Sequence, residues 1–287
     1  MDSLDKAKNI LKGGYDLHIH PFPSHVKRLM DDNAVLLDAN SAGMDGVLFK
    51  NHYETTGARA IMANRSHPEY RAKAYGAAVL NWPLGGLNPI AAASALRMGA
   101  RILFMPTRDA ANCLLHGDMP GDFFQREGIN ILDPVGRLKP EVYAIFDLVK
   151  EYQALLATGH ISPLESELLC VEACQFGVPM ILTHPEWERT IVPVETQAKL
   201  AHLGVYIEKC WYNIAEGNCT AREMADHIRA VGVEHCFLST DRGQSGRETP
   251  VEGMLRFIQA LLGEEFTEQE IRIMVHEVPA KMLGTIE

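Results

Sequence analysis

Long apolar runs are the clearest thing this sequence lacks. No window approaches the roughly 18 uninterrupted apolar residues that a membrane-spanning helix needs, so no membrane partner is expected. The first fourteen residues mix Asp2, Asp5, Lys6, Lys8 and Lys12 with few apolar positions. They hold no hydrophobic stretch of the signal-peptide kind, and a cytoplasmic location is expected. Basic clusters are missing as well. Lys and Arg total 27 against 37 Asp and Glu, a formal charge of −10. Nucleic-acid binders concentrate Lys and Arg to displace counterions, so no nucleic-acid partner is expected. Cysteine is sparse and scattered: Cys113, Cys170, Cys174, Cys210, Cys219 and Cys236 frame no small disulfide scaffold and read as reduced thiols. Cys170 and Cys174, four apart in a helical stretch, fit buried free thiols better than a metal pair. Repeats and low-complexity segments are absent too.

What is present is ordinary for a globular enzyme: 47% apolar and 22% charged residues over 287 positions. That length suits one large domain, 1–287. Eight short apolar runs ending in polar residues recur, at 15–20, 46–52, 75–81, 101–106, 155–160, 179–184, 205–210 and 236–241. Segments of helical spacing lie between most of them, at 31–42, 55–64, 89–98, 162–176, 194–203, 220–231 and 250–262. Repeated βα units predict a parallel sheet, and eight of them a (β/α)8 TIM-type barrel with a core over about 15–262. Asn88-Pro89 reads as a helix cap and first turn, and Ser162-Pro163 with Glu165 opens another helix. About fifty residues separate the fourth and fifth strands. A small hairpin at 129–138, turning at Asp133-Pro134-Val135-Gly136 before a helix at 140–152, accounts for them. Helices at 264–287, broken at Val278-Pro279, close the chain.

The chemistry gathers at the strand ends. In Asp16-Leu17-His18-Ile19-His20 a period of two sends both imidazoles to one face while Leu17 and Ile19 point away. Paired histidines at one strand end offer half the shell of a borderline metal such as zinc. Alone, His-x-His is weak in a chain with twelve histidines. Its weight grows because Lys50 and His52 follow strand two, His160 strand five, His184 strand six and Asp241 strand eight. In a barrel all strand ends meet at one face, and packing alone would place Val, Ile or Leu there. His18, His20, Lys50, His160, His184 and Asp241 are therefore the candidate metal ligands. His52, Tyr53, Asn81, Thr107, Glu186 and Arg242 lie at or just past strand ends and are candidate substrate contacts. Polar residues also cap strands for ordinary reasons, and Arg242 reads equally as a rim salt bridge. His25 and His116 fall in loops that overhang this face. The remaining histidines read as surface or packing residues.

This pattern resembles the amidohydrolase superfamily: His-x-His on strand one, a bridging Lys or Glu, single histidines on strands five and six, and an Asp on strand eight. The matching pieces are His18-Ile19-His20, Thr158-Gly159-His160, Thr183-His184-Pro185 and Ser239-Thr240-Asp241. The bridging residue usually sits on strand four, where Met105-Pro106-Thr107 offers none. Lys50, in Lys50-Asn51-His52-Tyr53, is the substitute, and a subgroup of the superfamily is similar in carrying Lys-x-His-Tyr there. The resemblance implies one or two divalent metals, zinc first and manganese or iron as alternatives. Two metals would need Lys50 carboxylated by CO2; with one, Lys50 reads as a substrate anchor. The implied reaction is hydrolysis of a C–N bond (amide, lactam or cyclic imide) or a C–O bond (lactone) by a metal-bound hydroxide. Asp241 is then the proton carrier, and His184 a ligand or an oxyanion holder. A single-metal decarboxylase or hydratase, and a barrel that binds a small molecule without converting it, are the competing readings. The expected partner is a small-molecule substrate, within a homo-oligomer.

Overall fold

A computed structural model describes residues 2–286. Eight strands form one parallel sheet in sequence order: β1 Tyr15–Ile19, β2 Gly46–Phe49, β3 Lys73–Val79, β4 Ala100–Phe104, β5 Leu155–Ala157, β6 Met180–Leu182, β7 Tyr206–Cys210 and β8 Cys236–Ser239. The sheet meets itself at the C-terminal rim. There the Asp241 amide donates to the His18 carbonyl at 2.9 Å, and the His20 amide to that of Arg242 at 2.8 Å. The chain is thus the (β/α)8 barrel expected from its alternating pattern. No helix among the described residues is long and apolar enough to cross a membrane.

Helices follow the strands where the caps place them. Asn88 accepts from the amides of Ile90 and Ala91 to start Pro89–Arg97. Ser162 and Glu165 close a capping box ahead of Pro163–Gln175, satisfying two otherwise orphaned amides. Thr220 with Glu223, and Thr249 with Glu252, do the same for Ala221–Val231 and Pro250–Gly263. The hairpin after β4 is minimal, with one antiparallel bridge between Leu132 and Leu138 around the Asp133 turn. Three α-helices were not expected: Ser3–Leu11, Ala111–Leu115 in the loop after β4, and Trp211–Ala215 directly after β7.

The expected break at Val278-Pro279 is corrected. Glu268–Arg272 runs on through a π-turn, Ile273–Glu277, into Val278–Leu283. Pro279 has no amide hydrogen and its ring crowds the preceding turn, and the wider π-turn absorbs that without ending the helix. Residue 287, at the end of the segment read as C-terminal helices, lies outside the described residues.

Two apolar layers hold the barrel. The larger lies between strands and helices. The smaller fills the interior, where Tyr15, Leu17, Leu48, Ile102, Leu155 and Phe237 meet Val278, Ala280, Met282 and Leu283 from the C-terminal helix. That helix plugs the barrel from below.

Strand β1 departs from simple alternation. Tyr15 and Asp16 pair with Gly46 and Val47, but Ile19 pairs with Phe49, so three steps on β1 match two on β2. This is a β-bulge, with Leu17 and His18 together opposite Leu48. Leu17 joins the interior cluster while Ile19 packs outward with Val35 and Ala39. The expectation that Leu17 and Ile19 both turn from the histidines is therefore corrected. The extra residue lets β1 fill the core with Leu17 and still offer His18 directly above it.

Candidate active site

The C-terminal rim encloses a cavity of about 170 Å³. Its lining includes His18, His20, Lys50, His52, His160, His184 and Asp241, so residues from five strands meet as the barrel requires. Two of them sit on left-handed backbone, His184 at φ 27° and Asp241 at φ 52°. Non-glycine residues held so cost about 1–3 kcal/mol each and cluster at functional sites. Close packing fixes them. A Cβ on Gly243, two residues past Asp241, would lie 2.0 Å from the His20 carbonyl oxygen, and one on Gly159, before His160, 2.4 Å from that of Met105.

Hydrogen-bond partners set the histidine tautomers. His18 Nδ1 lies 2.7 Å from a carboxylate oxygen of Glu208, and His20 Nδ1 lies 3.0 Å from the Lys50 carbonyl. Both partners accept, so each ring donates from Nδ1, and each Nε2 turns a lone pair toward the cavity. His20 Nε2 is 2.9 Å from Asp241 Oδ1, and His18 Nε2 is 3.5 Å from the same atom. One ligand atom from each of the three residues falls within 4.8 Å of the others. Burial holds the His20 ring pKa well below its ordinary value, Arg28 adding to the effect, so its Nε2 gains no proton with which to meet the carboxylate. Two buried ring nitrogens and a partly exposed carboxylate, all acceptors, converge with nothing of opposite sign between His20 and Asp241. A divalent cation fits this donor set.

Lys50 Nζ stands 2.9 Å from His18 Nε2 and over the Phe104 ring, 4.4 Å from its centroid. Burial lowers the Lys50 pKa to about 8, with Asp241 and Glu208 pulling the other way. His160 and His184 face each other with ring centroids 5.1 Å apart. Burial takes His184 down to about 4 and His160 well below the ordinary range, so both rings are neutral. Burial also opposes ionisation of Asp241, but His18, His20 and Lys50 outweigh it and hold the carboxyl well below the usual range.

His52 has the opposite polarity. Its Nδ1 is 2.8 Å from Thr107 Oγ1, and that oxygen already accepts from Asn81 Nδ2 at 2.8 Å. Every donor in this buried cluster finds an acceptor when Thr107 donates to His52 Nδ1. His52 then keeps its proton on Nε2, as a neutral donor facing the cavity.

Several expected substrate contacts stand behind the lining. Asn81 and Thr107 orient His52. Tyr53 stacks on His25 at 4.0 Å and donates to Asp122 at 3.2 Å. Glu186 is committed to Lys209 at 2.6 Å and His227 at 3.2 Å, on the helix side of the sheet. Arg242 pairs with Glu216 at 3.1 Å and Glu248 at 3.0 Å, the salt-bridge role. His116 is exposed and does not line the cavity.

Glu208, Arg28, Arg108, Trp187 and Tyr212 were not anticipated. Glu208 had a signal, a carboxylate in the middle of a short strand, one position from the outward-facing Lys209. It is buried, and its hydrogen bonds to His18, Ser239 and the His184 amide satisfy it. Burial raises its pKa, but His18 outweighs that and the carboxylate rests at about 2.

Comparison with solved structures finds other proteins on the same barrel. An amidohydrolase from Pseudomonas aeruginosa superposes with a TM-score of 0.69 at 11% identity, over 99% of this chain and 98% of that one. A 2,6-dihydroxybenzoate decarboxylase from Rhizobium gives 0.53 at 13%, over 96% and 99%. A mutant organophosphorus hydrolase from Deinococcus radiodurans gives 0.58 at 12%, over 96% and 94%. At these identities the likeness is one of fold. The chain belongs to the family described as a family of unknown function (DUF6282), whose model matches residues 13–208. That match ends before β8 and Asp241. No curated protein matches the sequence.

Proposed function

We propose that this protein is a metal-dependent hydrolase that cleaves a C–N bond (amide, lactam or cyclic imide) or a C–O bond (lactone) of a small molecule. The observation that carries the reading is the convergence of His18 Nε2, His20 Nε2 and the Asp241 carboxylate within 4.8 Å at the barrel rim. These three would hold a divalent cation, with zinc the first choice for a nitrogen-rich set. When bound, the ion supplies Lewis acidity and makes water a stronger acid.

The chain's own residues then have distinct tasks. Asp241 is ionised and beside the histidines, so it takes the proton of the attacking water and delivers it to the leaving nitrogen or oxygen. His52, with its proton on Nε2, donates to the carbonyl oxygen on which negative charge develops. Glu208 fixes the His18 tautomer, and the Lys50 carbonyl fixes that of His20. Trp187 lies against the His160 and His184 rings, 4.7 and 5.2 Å between centroids, and excludes water from that side.

His160 and His184 would serve a second ion. That version needs the Lys50 ammonium to lose a proton and the neutral amine to add to CO2, forming an N–C bond and releasing a second proton, which would leave an anionic carbamate able to serve two ions. One specific observation favours the single-ion reading, and with it a decarboxylase or hydratase: the three residues that converge most closely exclude both His160 and His184. Elemental analysis after saturating zinc separates the two. Two ions per chain, with a mass increment of one CO2, supports the bridged hydrolase. One ion without the increment supports the single-ion reading, and product analysis then tells decarboxylation or hydration from hydrolysis. No bound ion in the folded protein defeats both.

A further inference from the structure

The cavity carries positive charge that the proposed chemistry leaves unused. Its lining sets Arg28, Arg108 and Lys50 against one carboxylate, that of Asp241. This excess occurs on a chain whose formal charge is −10.

Arg28 lies in the loop after β1, and backbone contacts fasten that loop to the one after β8. Arg28 bridges Gln244, the Leu29 amide donates to the Gly243 carbonyl at 2.8 Å, and Gln244 Nε2 donates to the Asp241 carbonyl at 2.7 Å. The arginine is therefore rooted next to Asp241. Among the described residues no carboxylate pairs with it, and its Nε is buried without a hydrogen-bond partner.

Arg108, in the loop after β4, is only 5% exposed. Its Nη1 donates to Tyr53 Oη at 3.2 Å, to the Pro120 carbonyl and to Asp122 at 3.3 Å. Asp122 is shared with Arg126, which holds it at 3.0 Å. Arg108 Nε is also buried and unpartnered. Arg242 is the contrast: it too is fully buried, but Glu216 and Glu248 face it from two sides. Native proteins rarely leave buried donors unpaired, and two such guanidiniums on one small cavity call for an acceptor that the chain does not supply. Guanidinium is the group best shaped to take an oxyanion through paired N–H donors.

We infer that Arg28 and Arg108 form an oxyanion subsite, and that the molecule acted on carries a carboxylate or phosphate group apart from the bond that is cleaved. The word substrate rests on the hydrolase reading; the subsite rests on the two arginines. An anion held there leaves the rest of a small molecule to reach the histidines.

Calorimetric titration of succinate, methyl phosphate and neutral succinamide into the full chain tests this. It is run with chelator-treated and zinc-loaded protein, as wild type, Arg28→Gln and Arg108→Gln. Metal-free wild type should bind at least one anion and not succinamide, and Arg28→Gln should weaken that anion at least tenfold with an unchanged Tm. Preference for succinate assigns a carboxylate, and preference for methyl phosphate a phosphate. Arg108→Gln should weaken binding similarly; Arg28→Gln alone decides the matter if the Arg108 variant does not fold. The subsite is overturned if neither anion binds wild type, if succinamide binds equally, or if Arg28→Gln keeps full affinity. Zinc content of the same samples reads the hydrolase proposal separately. Protein that takes up no zinc but binds anions through Arg28 overturns only the metal reading. Protein that takes up zinc but is indifferent to Arg28→Gln overturns only the subsite.

Discussion

The two ends of the same eight strands are built from opposite materials. At the lower end the interior is apolar, with Tyr15, Leu17, Leu48 and Phe237 sealed by Val278 and Met282 of the last helix. At the upper end, one to four residues further along the strands, the cavity is lined by His18, His20, Lys50, His160, His184 and Asp241. The upper backbone is strained at His184 and Asp241, and polar rings are buried there as neutral imidazoles. The lower end offsets that cost with close apolar packing. Stability and chemistry are therefore divided along each strand, as this barrel type allows. Substitutions at the two ends should separate the two properties.

Asp241→Asn should have the largest effect. Removing a positioned proton carrier typically costs 10²–10⁴ in rate, so kcat should fall by about 10³. The change is nearly isosteric, and Asn tolerates the left-handed backbone, so Tm should move little. Turnover of lactone and amide panels by zinc-loaded protein, with Tm alongside, checks both. Wild-type kcat in this variant would remove Asp241 from its assigned role. The matching test at the lower end is Leu48→Ala. Deleting a fully buried leucine costs about 2–5 kcal/mol, read as a lower midpoint in urea, while zinc content per folded chain stays unchanged. Parallel loss of zinc would show that the two ends are not separable.

The division also explains what could be read from sequence. Strand runs and helix caps are local, and all eight strands were legible because each apolar run ends in a polar residue. His18, His20, His160, His184 and Asp241 were legible because a barrel turns chain order into spatial proximity. The bulge at Leu17 and His18 was not, since it is defined by pairing with β2 and leaves no mark in β1 alone. Arg28 and Arg108 were hidden for a similar reason. They sit in loops whose course depends on backbone contacts to Gln244 and on Tyr53 and Asp122, none near in sequence. Arg242 drew the substrate role on its position beside Asp241, but Glu216 and Glu248 neutralise it.

A smaller effect sharpens the upper end itself. Glu208 touches no cavity surface but fixes His18 through a 2.7 Å contact. Outer groups that orient a ligand histidine are typically worth 10–100-fold in metal affinity. Glu208→Gln should weaken zinc binding by about that factor, measured by competition with a chromophoric chelator. Unchanged affinity would mean that His18 is not a ligand, or needs no orienting.

The smallest effect distinguishes the ends by their response to pH. Burial sets the His184 pKa at about 4 in the folded chain, against an ordinary 6.5. Between those values the unfolded chain takes up a proton that the folded chain refuses, so stability is present above pH 6.5 and is lost as pH falls toward 4. Glu208, at about 2 against 4.5, adds a loss of the same sign below pH 4.5. Asp16 acts the other way: burial raises its carboxyl to about 7 from 3.8, so its contribution is greatest in acid and fades as pH rises through that range. A wild-type curve mixes these signs, and a variant is needed to isolate one. Metal-free His184→Asn should lose less Tm than metal-free wild type between pH 6.5 and 4.5, by about a few degrees. Leu48→Ala titrates nothing and should lower the whole curve in parallel. A parallel shift in His184→Asn as well would mean that the ring takes up its proton in the folded barrel, and that the upper end is less dry than its packing implies.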